Sequence, residues 1–258
     1  MTAGWPSRCC GRCRSLPDYA RIYARQEYLT PGAARTVGII SEQVRPDDRT
    51  RLLEMAAGKG EAAAHLAGEF ACRVVAVEPY DPFVHIAAAK FWHFNLRDLV
   101  TLVRANGRRL PVRGESMDAA YCIGAPSIVG LEPALRELAR VTKPGGRVIV
   151  SDIAWRAKPE EPLGPEWGWM AEATPTTAGE YRAAIEASGL TVEEVVTHPR
   201  EDWDEYWRPM LEVAAEAKSA TASGGADVFF ADEIEGYIEV ERRGEEEYLD
   251  YVTFVARK

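Results

Sequence analysis

The sequence predicts an α/β fold: a mostly parallel seven-stranded sheet with helices on both faces and a helical insertion before the last strand. Three observations predict it. Apolar runs of strand length alternate with helix-length segments between residues 51 and 151. The stretch RLLEMAAGKGEAAAHLAGEFACRVVAVE, residues 51–78, reads strand, glycine turn, helix, strand. It ends on an acid, Glu78, and a βαβ unit with glycines in its first turn and an acid roughly twenty residues on is the layout of a nucleotide-type binding site.

Ahead of that unit, residues 17–26 read as a helix with Tyr19, Ile22 and Tyr23 on one face, broken by YLTPG at 28–32. A second helix is predicted over 33–44. This pre-segment either folds over the mouth of the nucleotide site or packs on the sheet edge. The first strand, 51–55, is apolar on consecutive positions, as a strand buried on both faces must be. Ala56, Ala57, Gly58, Lys59 and Gly60 then form a turn with few side-chain atoms, letting backbone N–H groups approach a ligand. Strong helix formers fill 61–67, with Gly68 placed as a C-terminal cap. The second strand, 72–77, delivers Glu78 where its carboxylate can accept both hydroxyls of a ribose.

Pro79, Tyr80, Asp81 and Pro82 make a turn, with Asp81 as N-cap and Pro82 in the first turn of a crossover helix over 83–94. Strands follow at 99–104 and 117–123. A helix near 131–143 is stopped by Pro144, Gly145 and Gly146 supply a reversal, and 147–151 is the fifth strand. The proline-rich, aromatic connection WRAKPEEPLGPEWGWM is too irregular for a core element. Thr177 and Glu180 then form a capping box for a helix over 178–188 ended by Gly189. Strands at 190–197 and 248–256 enclose about fifty residues with two helix-like pieces, 203–218 and 231–243. A cap over a small ligand and a dimer interface are the two uses considered for that insertion.

Three stretches carry a resemblance. Glu54-x-Ala56-x-Gly58-x-Gly60 resembles the first motif of class I S-adenosylmethionine-dependent methyltransferases, with Ala56 in place of a glycine. Ala105-Asn106-Gly107-Arg108-Arg109-Leu110-Pro111, followed by Met117-Asp118, is similar to that family's loop after the third strand and the start of its fourth, with Asn106 replacing an aspartate. LEPALRELARVTKPGGRVIV resembles its helix, turn and fifth strand. The resemblance implies a Rossmann-like class I methyltransferase core over 46–258, preceded by an arm and helical pre-segment over 1–45, with a helical cap inserted at 198–247.

It also implies residue roles. S-adenosylmethionine, with S-adenosylhomocysteine as product, would be held by Glu54, Ala56, Ala57, Gly58 and Gly60 around the methionine end. Glu78 and Pro79 lie by the ribose, Asn106, Gly107 and Arg108 by adenine, and Ile123 and Gly124 under the sulfonium. Tyr23, Trp155, Trp167, Trp203 and Tyr206 are placed on the acceptor side, and no residue identifies itself as a general base. The expected reaction is in-line methyl transfer to a small-molecule acceptor. Two alternatives stay open: a non-catalytic cofactor-binding or interaction protein, and a nicotinamide oxidoreductase reading Gly58-x-Gly60-x-x-Ala63.

Composition narrows the field. The chain has 258 residues, is 47% hydrophobic and carries a formal charge of −9, against a nucleic-acid-wrapping role. Six arginines crowd the first 35 residues and acids crowd 227–250; both read as solvated surfaces. No apolar run reaches the ~18 residues of a membrane span, so a cytoplasmic protein without membrane attachment is expected. Cys72 and Cys122 are assigned to strands as core residues. Cys9, Cys10 and Cys13 have no histidine nearby to complete a zinc set, so no metal is expected.

Overall fold

The computed structural model describes Tyr23 and residues 25–172, 176–220 and 226–258. The CCGRC cysteines, most of the expected 17–26 helix and residues 221–225 lie outside them. In chain order the elements are α1 (Ala33–Val44), β1 (Arg51–Met55), α2 (Glu61–Phe70), β2 (Arg73–Val77), α3 (Asp81–His93), β3 (Val100–Val103), β4 (Met117–Ile123), α4 (Pro126–Val129), α5 (Leu131–Val141) and β5 (Thr142–Trp155). After them come α6 (Trp169–Glu172), α7 (Ala178–Ala187), β6 (Thr191–Thr197), α8 (Arg200–Ala220), α9 (Ala226–Glu247) and β7 (Leu249–Arg257).

The strands form a seven-stranded sheet in the order β3-β2-β1-β4-β5-β7-β6. β1 pairs in parallel with β2 and β4, and β2 with β3, whereas β7 runs antiparallel to β6. The chain enters mid-sheet at β1, steps outward to β3 and returns to the other side of β1 with β4. That reversal is a topological switch point at the carboxyl ends of β1 and β4, the place where the crevice of an open α/β sheet holds its ligand. Both faces are covered: α1 touches α2 and α2 touches α3, while α5 touches α4 and α7. One buried layer joins Val37 and Ile40 of α1, Ala63, Leu66 and Ala67 of α2, Val74 and Ala76 of β2, and Phe91 of α3. Alanines on the buried face of α2 bring it close to the strands, the alanine-rich run doing what a leucine-rich one could not.

The described residues divide into two units. One comprises Glu27–Ile153, Ala178–His198 and Tyr251–Lys258 and contains the sheet core; the other comprises the described part of Met1–Gln26, Ala154–Thr177 and Pro199–Asp250. In the second unit α8 and α9 pack side by side. Trp203, Trp207, Met210 and Ala214 are buried on one helix, Ala231, Ile234 and Ile238 on the other. Between them the buried Glu241 accepts hydrogen bonds from Trp207 Nε1 at 2.8 Å and the Tyr237 hydroxyl at 2.5 Å. Burial pushes its carboxyl up to about 7, against the pull of those donors.

Four local expectations are corrected. Gly68 does not end α2, which continues to Phe70 and is closed by Ala71 at φ 54°. Asp81 is not the cap of α3 but lies in its first turn; the N-cap is Tyr80, with no side-chain bond. Cys72 immediately precedes β2 instead of lying in it, its thiol donating to the Leu66 carbonyl at 3.3 Å. Finally, Gly145 and Gly146 do not precede β5; the strand starts at Thr142 and takes them in as an irregularity between the pairs Met117↔Thr142 and Ala119↔Arg147. The reason is a backbone partner distant in sequence. Gly145 N–H donates to the Lys258 carbonyl at 2.7 Å and Lys258 N–H to the Gly146 carbonyl at 3.0 Å.

Candidate functional site

The residues expected to hold a cofactor fall in the sheet unit, at the carboxyl ends of β1, β2 and β4. The turn after β1 closes with Gly60 N–H donating to the Ala57 carbonyl at 2.9 Å, and it is tied sideways by Ala57 N–H to the Val77 carbonyl at 3.0 Å. Ala56 (φ 58°), Gly58 (φ 55°) and Gly60 (φ 76°) are all left-handed. The two glycines have different jobs. A Cβ on Gly60 would lie 2.5 Å from Phe91 Cζ and 3.0 Å from Ala87 Cβ, so Gly60 lets α3 close against the turn. A Cβ on Gly58 would lie 2.9 Å from Leu29 Cδ1, so Gly58 faces the segment that precedes α1.

Glu78 is buried and locked. Its Oε2 accepts from Gly58 N–H at 2.9 Å and its Oε1 from Tyr80 N–H at 2.8 Å. Burial pushes the carboxyl up, and those two N–H groups pull it back. Each oxygen keeps a lone pair for a further donor such as a hydroxyl. The acid at the end of β2 thus also shapes the glycine turn on β1.

Glu54, opposite Tyr121 in the β1–β4 register, is 4% exposed. Its Oε2 and the Tyr121 hydroxyl are both buried without a hydrogen-bond partner. Burial drives the Glu54 carboxyl up to about 8, with the N–H of Ala63 in the first turn of α2 opposing and the nearby Glu78 adding to the rise. The Tyr121 hydroxyl beside it also opposes the rise, and the carboxylate oxygen can accept from a further donor.

After β3, Asn106 Oδ1 accepts from Arg108 N–H at 2.9 Å, an Asx-type turn that sets the loop. Gly107 is buried where a Cβ would meet Met55 and Val129 at 3.0 to 3.1 Å, and Arg108 Nε donates to the Val129 carbonyl. The loop is held from below: Glu137 of α5 accepts from Leu110 N–H at 2.6 Å, and Arg140 bonds the carbonyls of Leu110 and Val112. After β4, Gly124 (φ 69°) is covered by Thr30, whose side chain lies 2.5 Å from where a Cβ would stand. Pro79 connects Glu78 to Tyr80, and Ile123 closes β4 half-buried.

Sequence reasoning offered two places for the segment before β1, over the mouth of the site or on the sheet edge, without naming the residues that cover the turn. Leu29 and Thr30 reach across Gly58 and Gly124, and Tyr28 packs on the core layer beside them, its hydroxyl pushed up to about 12 by burial. The segment is fixed at Gly32, which caps α1 with φ 62° against the buried His198 ring. His198 Nε2 pairs with Thr253 Oγ1 at 2.7 Å, and Thr253 Oγ1 with Thr36 Oγ1 at 2.9 Å. The break at 28–32 and the two alternative positions of the pre-segment were legible beforehand; the particular contacts of Leu29 and Thr30 were not, because contacts between residues so far apart leave no local pattern.

The aromatic residues expected on the acceptor side all fall in the other unit. Trp155 and Trp167 surround Tyr248, at 6.0 and 5.2 Å between ring centres, and Arg243 lies over Trp167 at 3.7 Å. Trp203 leans on Trp207 at 5.6 Å. The Tyr206 hydroxyl is 3.3 Å from that of Tyr23, and the Tyr206 carbonyl accepts from Gln26 Nε2 at 2.8 Å. All five are buried, and the structure gathers them into these three clusters instead of one constellation. Among the described residues no group of His, Cys, Asp and Glu is arranged to hold a metal.

The β6–β7 antiparallel pair at the edge separates this sheet from the parallel 3-2-1-4-5-6 order of dinucleotide-binding folds. Sheet, crevice and acids define a class I methyltransferase fold. Residues 53–150 match the family described as a methyltransferase domain. Residues 53–150 thus resemble a methyltransferase domain, set in a sheet with the class I methyltransferase fold. The chain is 32% identical over 115 residues to the ubiquinone/menaquinone biosynthesis C-methyltransferase UbiE of Syntrophotalea carbinolica, covering 44% of this chain and 46% of that one. The chain thus spans less than half the length of that relative. It is 26% identical to the uncharacterized protein YjhP of Escherichia coli over 195 residues, 73% of this chain and 78% of YjhP. A Geobacter sulfurreducens S-adenosylmethionine-dependent methyltransferase, crystallised with S-adenosyl-L-homocysteine, superposes with a TM-score of 0.78 at 18% identity, covering 94% of this chain and 98% of that one. At that identity the likeness is one of fold.

Proposed function

We propose that this protein is an S-adenosylmethionine-dependent methyltransferase that acts on a small-molecule acceptor by in-line transfer. One observation carries the reading: the carboxyl ends of β1 and β2 join a left-handed glycine turn to two buried acids, Glu78 bonded to Gly58 and Glu54 with an unpartnered oxygen. Those residues fit the cofactor chemically. Glu78 has lone pairs left for ribose hydroxyls, and the unpartnered Glu54 oxygen suits a donor such as an ammonium. Asn106, Gly107 and Arg108 are assigned to the adenine end, Ile123 and Gly124 to the sulfonium region, and Ala56, Ala57 and Pro79 to backbone contacts.

When bound, the cofactor supplies an electrophilic methyl group. The protein's part is to orient donor and acceptor and to keep water out. Leu29 and Thr30, lying over Gly58 and Gly124, are the side chains placed to exclude water from the turn. Tyr23, Trp155, Trp167, Trp203 and Tyr206 are kept as acceptor-side residues on their aromatic character. Likeness to a quinone-pathway C-methyltransferase and the charge of −9 support a small molecule over nucleic acid as acceptor. Among the described residues no helix is long and apolar enough to cross a membrane.

The test is binding of S-adenosylhomocysteine by Glu78→Gln and Glu78→Ala. Losing charge-assisted bonds to two ribose hydroxyls should weaken affinity by roughly 10- to 100-fold, more for alanine, with the fold confirmed by circular dichroism. Unchanged affinity in folded variants would remove Glu78 from the site.

A further inference from the structure

The carboxyl ends of β4 and β5 hold a buried acid that the cofactor assignments leave unused. Ile123 pairs with Ser151, Gly124 N–H donates to the Ser151 carbonyl at 2.7 Å, and Asp152 is the next residue along β5. Asp152 is 6% exposed. Its Oδ2 accepts from the Tyr181 hydroxyl of α7 at 2.7 Å and from Ser127 N–H of α4 at 2.9 Å, and its Oδ1 from Ile153 N–H at 2.9 Å. The Ser127 hydroxyl bonds both the carboxylate and Tyr181. Ser127 and its neighbour Ile128 are exposed. The buried acid thus reaches the surface through the Ser127 hydroxyl, on the loop that leads out of Gly124.

Tyr181 is buried and stacked on Phe254 at 5.6 Å between ring centres, which fixes its hydroxyl in place. Burial pushes that hydroxyl up and the Asp152 charge pushes it further, so Tyr181 stays a donor. Cys122 of β4 and Tyr251 of β7 face the same carboxylate, and burial followed by its charge holds both protonated. Burial pushes Asp152 itself up, against the pull of Tyr181, Ser127 and Ile153 N–H. Asp152 is therefore the member of this cluster that takes up a proton. Capping the short α4 needs only a neutral acceptor, and burying a carboxylate with its own tyrosine donor costs more than that task requires. An exposed hydroxyl, an acid bonded to it and a third group orienting the acid are the parts of a general-base relay.

We propose that Ser127 is the catalytic residue that takes a proton from the acceptor, and that Asp152, oriented by Tyr181, is the positioning residue that draws the proton on. This rests on the proposed function and names its acceptor class: a molecule whose nucleophilic nitrogen or oxygen arrives protonated. The acceptor proton passes to the Ser127 oxygen while the Ser127 proton passes to Asp152. The electron pair left on the acceptor forms the bond to the methyl carbon, and the pair of the broken carbon–sulfur bond stays on sulfur. Asp152 then returns its proton to water through Ser127.

The experiment has two readouts on the full chain. The first needs no acceptor: the Asp152 carboxyl signal, assigned by through-bond correlation, is followed against pH by carbon-13 NMR. Ser127→Ala and Tyr181→Phe should each raise its midpoint by roughly half to one pH unit, since each removes a donor from the carboxylate. The second is release of S-adenosylhomocysteine from S-adenosylmethionine with phenethylamine, catechol or menadiol as acceptor, menadiol also offering an open ring carbon. For a product methylated on nitrogen or oxygen, Ser127→Ala and Asp152→Asn should lower kcat roughly 100- to 1,000-fold and abolish its rise through the Asp152 midpoint. KM and S-adenosylhomocysteine affinity should stay within about threefold, and Ser127→Thr, which keeps the hydroxyl, should recover most of the loss. Ser127 is exposed, so its variants serve as the test if Asp152→Asn does not fold. A midpoint indifferent to Ser127→Ala, or a loss shared equally by kcat and cofactor affinity, overturns the proposal. So does a wild-type chain that binds S-adenosylhomocysteine and methylates carbon alone or none of the three acceptors, a result that leaves the cofactor reading in place. A wild-type chain that binds no S-adenosylhomocysteine overturns the cofactor reading itself.

Discussion

Glu54 and Ala56 show how single residues carry the cost of the site. The Glu54 carboxyl titrates near 4.5 ordinarily and is driven up to about 8 by burial. Between those values the folded chain holds a proton that the unfolded chain has released, so this residue's contribution to stability falls as pH rises through the window. Chemical denaturation of Glu54→Gln should match the parent to within about 1 kcal/mol at pH 5 and exceed it by a few kcal/mol at pH 8.5. A difference independent of pH would show that Glu54 is ionised when folded. Ala56 stands where the resemblance expects glycine, and its φ of 58° costs roughly 1–2 kcal/mol that a glycine does not incur. Against that, glycine loosens the unfolded chain by about 0.4–1 kcal/mol, so Ala56→Gly should raise stability by up to ~1.5 kcal/mol. A clear loss would mean that the methyl group packs usefully in the turn.

At the scale of elements, the two glycines near α2 make opposite predictions. Gly60→Ala would press a methyl group 2.5 Å from Phe91 Cζ at a φ of 76°, forcing α3 outward, and should cost about 2–4 kcal/mol. Gly68 lies inside α2, where the nearest atom to an added Cβ is Leu96 Cδ2 at 3.9 Å. Gly68→Ala should therefore stabilise by about 0.5–1 kcal/mol; a loss would restore it as a cap. The strands and crossover helices were readable because apolar runs and turn residues are local signals. The end of α2 and the start of β5 were not, since Ala71 in a left-handed cap defies propensity and the Gly145–Gly146 pairing depends on Lys258, more than a hundred residues away. Of the site, the glycine turn and Glu78 were legible from spacing; the bond from Gly58 to Glu78, the empty oxygen of Glu54 and the cover of Leu29 and Thr30 arise only when β1, β2 and β4 are assembled.

For the whole molecule, the sheet order and its antiparallel edge carry the fold, and the proposed function rests on the switch point beside β1 and β4. Five buried aromatic residues in the second unit are assigned to the acceptor by type, so alanine replacements there should raise KM for an acceptor and leave cofactor affinity within about threefold. The reverse pattern would move them out of that role. The central claim is that the glycine turn and its two acids bind an adenosyl sulfonium cofactor. Its most direct test is calorimetric titration of the purified protein with S-adenosylmethionine and, separately, S-adenosylhomocysteine. The account predicts one site with a Kd on the order of micromolar for either ligand, corresponding to about −8 kcal/mol. No heat of binding for either, from a folded chain, would contradict it.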